Sequence, residues 1–333
     1  MKLVYCVNRN ISHLSYIINI FNIYPGPLLF LDYLQHDEIY HYYQKRFKGV
    51  TMLKTISELK KYRPDALLWT DFNYLLGNWL NVFIGHGDLL SCRPISTCYT
   101  YTNRKKLKIY DIILVAGQAQ LDKYIGLSPG SKCYVVGSPR YDKFLKYNFF
   151  NNNRKTIIYT PTWRYSCVAT FYKYMSRLLN SYNIIIAFHS LSLKINTNLD
   201  VFLMITKINN PNLKILYRKN FDQYLSKRNS VYMEEESDLL SLVNSGDIQI
   251  SDAMSSAMVD GFYLQKPVII FHHNTSYLEL VNHLVKKQKY KKLNKSMTVL
   301  GVEYTHDGVF KYNDEASSRR SLETINNVVI SNK

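Results

Sequence analysis

The sequence predicts an α/β protein made of two Rossmann-like halves that face each other across a cleft. Its 333 residues suit two domains of ordinary size. Short apolar segments alternate with longer amphipathic ones, which is typical of α/β folds. The polar, Asn-rich stretch YNFFNNNRK (147–155) separates two such sets and is the best linker candidate. We therefore expect an N-terminal domain over residues 1–150 and a C-terminal domain over residues 151–333.

In the first half, the predicted strands are short apolar segments bounded by polar or turn residues. They are Lys2–Val7, Leu28–Leu31, Ala66–Trp69, Val82–Ile84, Ile112–Ala116 and Tyr134–Val136. A helix is predicted over Val50–Tyr62, because Pro64 would end it. Another is predicted over Gln118–Ile125, which follows a strand and a glycine as in a βα unit.

The second half repeats this alternation after the linker. The predicted strands are Thr156–Thr160, Ile184–Phe188, Leu213–Tyr217, Ile248–Ser251 and Val268–Phe271. The predicted helices are Val168–Ser181, Ser237–Ser245, Ser255–Leu264 and Tyr277–Lys287. A last helix over Ser317–Val329 is expected to pack back on the body of the protein.

The composition is globular and strongly basic. Hydrophobic residues make up 47% of the chain, which excludes an intrinsically disordered protein. The 42 Lys and Arg residues outnumber the 25 Asp and Glu residues, for a net charge of +17. This charge favours an anionic partner: a nucleic acid, an anionic membrane surface or a phosphorylated small molecule. Because no recognised nucleic-acid motif is present, we predict that nucleic acid is not the partner. An AT-rich genome can also account for part of the charge.

The sequence favours a cytoplasmic protein. It has no apolar run of 18 residues, and Ile11–Leu31, which comes closest, is interrupted by polar residues, Pro25 and Gly26. The start, MKLVYCVNRN, lacks the apolar core of a signal peptide. The five cysteines are scattered without a CxxC pair, which is typical of reduced proteins without zinc or disulfides.

The strongest candidate site lies in DIQISDAMSSAMVDGFYLQKPVIIF (247–271). A short predicted strand ends in Ser251-Asp252, and Ser255 and Ser256 lie where the next helix should begin. One serine there would be read as a helix cap. A pair after a strand-end acid, in a basic protein, favours phosphate binding by hydroxyls and free helix N–H groups. Asp260, one turn further on, would either orient a ribose hydroxyl or be a solvated helix residue.

Two further segments place polar residues at predicted strand ends in the same half. TIIYTPTWR (156–164) has Thr162 and Arg164 after its predicted strand. Arg164 would either hold a phosphate with two hydrogen bonds or stack on Trp163. His189 follows the strand of IIIAFHS and is either a site residue or a structural histidine.

The first half contributes two more candidates. His86 lies between Gly85 and Gly87 in FIGHGDLLSCR (83–93), where it would be a general base or a turn residue without a role. Arg140 in VGSPRYD (136–142) follows a glycine turn and is either a ligand contact or part of a turn that closes the domain.

Several chemistries have no support in the sequence. It contains no P-loop, HExxH, GxSxG or EF-hand pattern. His272, His273 and His283 lack matching cysteines or carboxylates, so we predict no metal site and no cofactor.

The run KKQKYKKLNK (286–295) holds six lysines, among them Lys286, Lys287, Lys291 and Lys292. With its interspersed apolar residues it is suited to an anionic membrane surface, although a solvated helix face has the same pattern.

Taken in order, these motifs resemble those of the CDP-glycerol glycerophosphotransferase family, which includes teichoic acid primases and polymerases. TPTWR, the strand-end His189, the acid and Ser pair, and KPVIIF follow one another as in that family. Upstream, IGHGDLLSCR and GSPRYDKFL are similar to two further family segments. The resemblance runs from about residue 80 to residue 275.

This resemblance implies a GT-B fold and transfer from a nucleotide-diphosphate donor to a membrane-linked or polysaccharide acceptor. It implies that His86 activates the acceptor hydroxyl and that His189, assisted by Arg164, stabilises charge on the donor phosphates. It also implies that Ser255 and Ser256 hold the diphosphate, with no metal needed. Such an enzyme would work on the inner face of the cell membrane, as a peripheral protein.

Other functions stay open. The same scaffold is shared by capsule and lipopolysaccharide glycosyltransferases, which attack a sugar carbon instead of phosphorus. A non-hydrolysing nucleotide-sugar epimerase and a non-enzymatic binding protein for an anionic polymer are further alternatives.

Overall fold

The computed structural model confirms an α/β chain with two parallel sheets. It describes residues 1–8, 11–31, 37–70, 74–84, 109–127, 132–162, 166–188, 196–217, 230–232, 238–252, 255, 257–289, 296–299, 302–305, 314 and 316–332. These residues form two compact units. The first unit holds the described residues up to Lys143 together with the C-terminal helix, and the second holds those from Phe144 to Thr305.

The first unit is built on a parallel sheet with the strand order β3-β2-β1-β4-β5-β6-β7. The strands are β1 (Leu3–Cys6), β2 (Leu28–Leu29), β3 (Met52–Leu53), β4 (Ala66–Trp69), β5 (Leu80–Phe83), β6 (Ile112–Val115) and β7 (Lys132–Val135). The helices are α1 (Ile18–Ile23), α2 (Asp37–Arg46), α3 (Ile56–Tyr62) and α4 (Gln118–Leu127), with 3₁₀ turns at Ile11–Tyr16 and Pro139–Tyr141. The order reverses between β1 and β4, as in Rossmann folds.

The second unit has a parallel sheet with the order β11-β10-β9-β8-β12-β13. The strands are β8 (Thr156–Thr160), β9 (Asn183–Ala187), β10 (Leu213–Tyr217), β11 (Ser230–Tyr232), β12 (Ile248–Asp252) and β13 (Val268–Phe271), and β14 (Ser296–Val299) and β15 (Val302–Thr305) form a separate antiparallel pair. The helices are α5 (Val168–Leu178), α6 (Asn196–Thr206), α7 (Asp238–Ser245), α8 (Met258–Tyr263) and α9 (Tyr277–Lys289).

Both faces of the second sheet are buried, as expected for a parallel sheet. Ile157 and Tyr159 of β8 face a core that includes Phe171 of α5, whereas Ile158, between them, faces Leu242 of α7. The apolar spacing along α5 gives that helix one buried stripe. Its buried residues are Val168, Phe171, Met175 and Leu178.

The helix predicted over Val50–Tyr62 was wrong at its start. Met52–Leu53 pairs with β2 as strand β3, and α3 begins only at Ile56. Thr55 fixes this start through a capping box. Its hydroxyl accepts the Glu58 N–H at 3.1 Å, and the Glu58 carboxylate accepts the Thr55 N–H at 3.2 Å.

The C-terminal helix α10 (Ser317–Ser331) belongs to the first unit, so the predicted C-terminal domain over 151–333 needs correction. Three of its apolar residues join the core of the first unit, namely Ile325, Val328 and Val329. The Asp142 carboxylate accepts the N–H groups of Ser317 and Ser318, at 3.0 and 2.6 Å. A carboxylate there caps the helix and opposes the positive end of its dipole.

The predicted linker also proves to be part of a unit. The boundary between the two units falls between Lys143 and Phe144, before the Asn-rich stretch. The N–H groups of Leu145 and Tyr147 donate to the hydroxyls of Ser241 and Ser245 on α7, at 2.9 and 2.6 Å. These bonds tie the stretch to the second unit.

Within the described part of the chain, no helix is long and apolar enough to cross a membrane.

Candidate active site

The strand order of the second sheet reverses between β8 and β12. After β8 the chain builds β9, β10 and β11 on one side, and it then returns to place β12 on the other. Parallel α/β sheets bind ligands outside the carboxyl ends of the strands at such a point. Thr162 follows β8 here, and Asp252 ends β12, so two of the predicted donor-binding residues lie at this switch point.

Thr162 and Asp252 contact each other directly. The Thr162 N–H donates to Oδ2 of Asp252 at 2.8 Å, and the Cys167 N–H donates to the same oxygen at 3.2 Å. The Tyr159 hydroxyl donates to Oδ1 at 2.7 Å. Asp252 is only 1% exposed, so its carboxylate is occupied by protein groups.

Burial dominates the electrostatics of this cluster. It raises the pKa of the Asp252 carboxyl above its ordinary value, and the hydrogen bond from Tyr159 opposes this effect. Burial, together with the nearby Asp252 charge, raises the pKa of the Cys167 thiol to about 12. The thiol is therefore protonated at neutral pH and is not suited to be a nucleophile.

Ser255 lies beside Asp252, but the helix predicted to begin there starts later, at Met258. The Ser255 N–H donates to the Asp252 carbonyl at 2.9 Å, and its hydroxyl accepts the Ala257 N–H at 3.2 Å. These bonds form a turn ahead of α8. The Asp260 side chain is buried within α8, which differs from the solvated alternative.

Gln249 is a supporting residue that sequence reasoning missed. Its side chain is fully buried and donates to Thr160 Oγ1 at 3.1 Å and to the Ala257 carbonyl at 2.8 Å. Its Oε1 accepts the Gly261 N–H at 2.9 Å, which holds α8 against β12. A side chain on Gly261 would collide with this amide, since an added Cβ would lie 2.1 Å from Oε1. In the sequence, the signal for this role was a glutamine between two isoleucines of a predicted strand, Ile248 and Ile250.

Lys266, in the KPVIIF segment, also bonds to the backbone of the protein. Its ammonium donates to the Asn244 carbonyl at 2.5 Å and to the Gly246 carbonyl, at the end of α7. Burial lowers the pKa of Lys266 to about 8.

Arg140 belongs to the first unit, whereas the other described donor-binding candidates belong to the second. Its Nη1 donates to the Tyr16 hydroxyl at 3.1 Å, and its guanidinium lies 5.2 Å from the centre of that ring. The neighbouring Asp142 caps α10. The VGSPRYD segment thus contributes to closing the first unit. This is one of the two roles predicted for the segment from the sequence.

The remaining site predictions fall on parts of the chain that the structure does not describe. His86, His189, Arg164 and Ser256 are outside the described residues, as are Lys291 and Lys292. Lys286 and Lys287 belong to α9, without a description of their side chains. Among the described residues, no group of three or more His, Cys, Asp or Glu side chains is placed to hold a metal ion.

Residues 128–280 match the model of the family CDP-Glycerol:Poly(glycerophosphate) glycerophosphotransferase. This segment includes β8, β12 and the switch point between them. No curated protein matches the chain.

Solved structures agree on the fold across nearly the whole chain. A UDP-GlcNAc 2-epimerase from Methanocaldococcus jannaschii has a TM-score of 0.61 at 14% identity, covering 98% of this chain and 99% of that one. The wall teichoic acid polymerase TagF, soaked with CDPG, has a TM-score of 0.51 at 13% identity, with coverages of 99% and 89%. A glycosyltransferase from Rickettsia africae has a TM-score of 0.51 at 11% identity, with coverages of 100% and 99%.

At these identities the structural likeness establishes the fold class, which is that of the GT-B glycosyltransferases and epimerases. The sequence match goes further, because it includes the motifs from which the family resemblance was predicted, except IGHGDLLSCR at residues 84–93. That resemblance is confirmed over residues 128–280, and the match supports a transferase.

Proposed function

We propose that this protein transfers glycerol phosphate, or a related polyol phosphate, from a CDP-linked donor to a membrane- or polysaccharide-linked acceptor. One observation carries the proposal: the family match covers the switch point where Thr162, Asp252 and Ser255 lie together. The donor would bind to the second unit and the acceptor to the first. The product would be a cell-surface polymer.

The reaction needs a base for the acceptor and positive charge for the donor. In our proposal His86 takes the proton from the acceptor hydroxyl, whose oxygen attacks the distal phosphorus of the donor. The bond from that phosphorus to CMP breaks, and CMP leaves with the bond's electron pair. His189 and Arg164 stabilise charge on the phosphates, and Ser255, Ser256 and Asp260 help to hold the donor.

The test is nucleotide release from a panel of activated donors in the presence of acceptor membranes. Attack at phosphorus of CDP-glycerol or CDP-ribitol releases CMP, whereas attack at the anomeric carbon of a nucleotide sugar releases UDP or GDP. We expect CMP release that depends on the acceptor. Release of UDP or GDP would make the protein a glycosyltransferase instead. Epimerisation of a soluble nucleotide sugar without acceptor would make it an epimerase, and salt-sensitive polymer binding without turnover would make it a binding protein.

We further propose that α9 holds the enzyme on an anionic membrane at the cytoplasmic side. The helix buries Leu280 and Leu284 in the core, yet Leu278 and Val285 are 72% and 48% exposed. These two residues are seven apart, so they lie on one face of the helix. The lysine-rich run begins at Lys286, directly after Val285. Apolar anchors beside lysines suit a surface of anionic lipid.

We expect the double substitution Leu278→Ser with Val285→Ser to weaken binding to phosphatidylglycerol-containing vesicles by about tenfold, because two apolar anchors are lost. Vesicle co-sedimentation measures it. Leu76→Ser is the matched control, since Leu76 is 77% exposed in the first unit. An equal loss in the control, or equal binding to vesicles of phosphatidylcholine alone, would argue against α9 as the anchor.

A further inference from the structure

The side chain of Gln249 joins two strands of the second sheet to the turn that carries Ser255. Its Nε2 donates to the Ala257 carbonyl at 2.8 Å, and its Oε1 accepts the Gly261 N–H at 2.9 Å. The same Nε2 donates to Thr160 Oγ1, at the end of β8, at 3.1 Å. One buried amide on β12 therefore holds both β8 and the turn ahead of α8.

Ala257 transmits this contact to Ser255. Its carbonyl is held by Gln249, and its N–H donates to the Ser255 hydroxyl oxygen at 3.2 Å. The Ser255 N–H donates to the Asp252 carbonyl, at the end of β12, at 2.9 Å. The place of Ser255 is therefore set from two sides, by the end of β12 and, through Ala257, by Gln249.

The Ser255 hydroxyl is suited to meet an anion. A serine hydroxyl has two acceptor positions and one proton. The Ala257 N–H uses one acceptor position, so the proton can still be donated to a phosphate oxygen. Ser255 is 8% exposed and follows the carboxyl end of β12, the edge at which parallel sheets bind ligands.

Gln249 lies where an apolar side chain would be expected, since it is 0% exposed within a buried strand. A buried amide is tolerated when both of its polar atoms are bonded, as they are here. Apolar contacts have little directionality, whereas hydrogen bonds have a preferred geometry. What the amide adds over an apolar residue of the same size is thus the orientation of the turn.

We propose that Gln249 is a positioning residue for the donor site, which directs the Ser255 hydroxyl toward the diphosphate of the donor by holding Ala257. This role rests on the proposed function, because it takes Ser255 to bind that diphosphate. Gln249 is fully buried, so it acts through the turn and not by contact with the donor.

Asn183 provides a matched control in the same unit. It is 1% exposed, and its amide nitrogen donates to Oδ1 of Asn152 at 2.9 Å and to the Arg154 carbonyl at 3.1 Å. Asn183 begins β9, so it lies at the edge of the sheet away from the carboxyl ends of the strands. Asn183→Leu therefore removes a buried, bonded amide without changing a contact of the Ser255 turn.

The experiment is a double-mutant cycle in the full chain, with inorganic pyrophosphate as the probe and its Kd measured by NMR titration. We expect Gln249→Met and Ser255→Ala each to weaken binding by about tenfold. The double variant should be no more than about twofold weaker than either single one, because both changes remove the same oriented hydroxyl. Asn183→Leu should bind pyrophosphate as the parent protein does. If Gln249→Met does not fold, Gly261→Ala replaces it in the cycle, since its Cβ would lie 2.1 Å from Gln249 Oε1 and displace the same amide.

Steady-state kinetics separate positioning from a general loss of folded protein. In the CMP-release assay, Gln249→Met should raise the KM for CDP-glycerol by about tenfold, with kcat within about twofold of the parent value. A smaller folded fraction would lower the apparent kcat and leave KM unchanged.

Hydrogen exchange gives a readout that needs no ligand. The amides of Ala257 and Gly261 should exchange faster in Gln249→Met but not in Asn183→Leu. Additive losses in the cycle, unchanged affinity in Gln249→Met, an equal loss in Asn183→Leu, or unchanged exchange at both amides would overturn the inference. If coupling is found but CDP-glycerol yields no CMP, the assigned reaction fails while the role of Gln249 stands.

Discussion

Replacing His86 or His189 by alanine is expected to lower the rate of CMP release by ~10²–10⁴-fold. The two losses should differ in kind, because the two side chains are assigned different tasks. Without His86 the acceptor hydroxyl has no base, so kcat should fall while the KM for the donor changes little. Without His189 the donor phosphates lose a stabilising charge. The kcat/KM for the donor should therefore fall more in His189→Ala than in His86→Ala.

Steady-state kinetics with CDP-glycerol and acceptor membranes measure both effects. His41→Ala is a suitable control, since His41 is an exposed residue of α2, where its Nδ1 lies 3.0 Å from Oε1 of Gln44. It should retain full activity. Near-native rates in both His86→Ala and His189→Ala would remove the basis for assigning either residue to catalysis.

Phe171→Ala is expected to destabilise the second unit by about 3–5 kcal/mol, the usual cost of removing a large buried aromatic side chain. Phe171 is fully buried, stacks on Tyr159 and meets the Phe271 ring edge-on. The substitution would open a cavity beside Tyr159, whose hydroxyl donates to Asp252.

Hydrogen exchange under native conditions can assign this loss to one unit, which a single melting curve of a two-unit protein cannot do. Amides of β8 and β9 should lose protection, and those of β1 and β4 in the first unit should not. Phe171→Leu should have a smaller effect, because it keeps most of the apolar volume. A loss below about 1 kcal/mol in Phe171→Ala would mean that the core closes around the missing ring.

Strand positions were the most predictable feature of the fold. Four strands have the bounds predicted from the sequence, namely Ala66–Trp69, Thr156–Thr160, Leu213–Tyr217 and Val268–Phe271. Strands buried on both faces are short apolar runs with clear ends, so local sequence is sufficient to find them. The two-residue strand β3 was missed, because it precedes the Thr55 cap within a segment that has helical spacing.

The candidate site was less predictable, because its contacts join distant residues. The sequence placed Thr162 and Asp252 at strand ends, which the structure confirms. It gave no sign that the two would bond to each other, since they are 90 residues apart. The same holds for α10, whose cap by Asp142 spans 175 residues. Such partners depend on the order of strands in a sheet, which periodicity does not encode.

The position of α10 also has a consequence for biosynthesis. The first unit is made of residues on both sides of the second in sequence, and its core includes Ile325, Val328 and Val329. A ribosome must therefore make the entire second unit before the first can be completed. Until then, the surface that receives α10 stays uncovered, and the second unit is free to fold first. The order of synthesis and the order of folding are thus expected to differ in this protein, contrary to the usual N-terminal-first sequence.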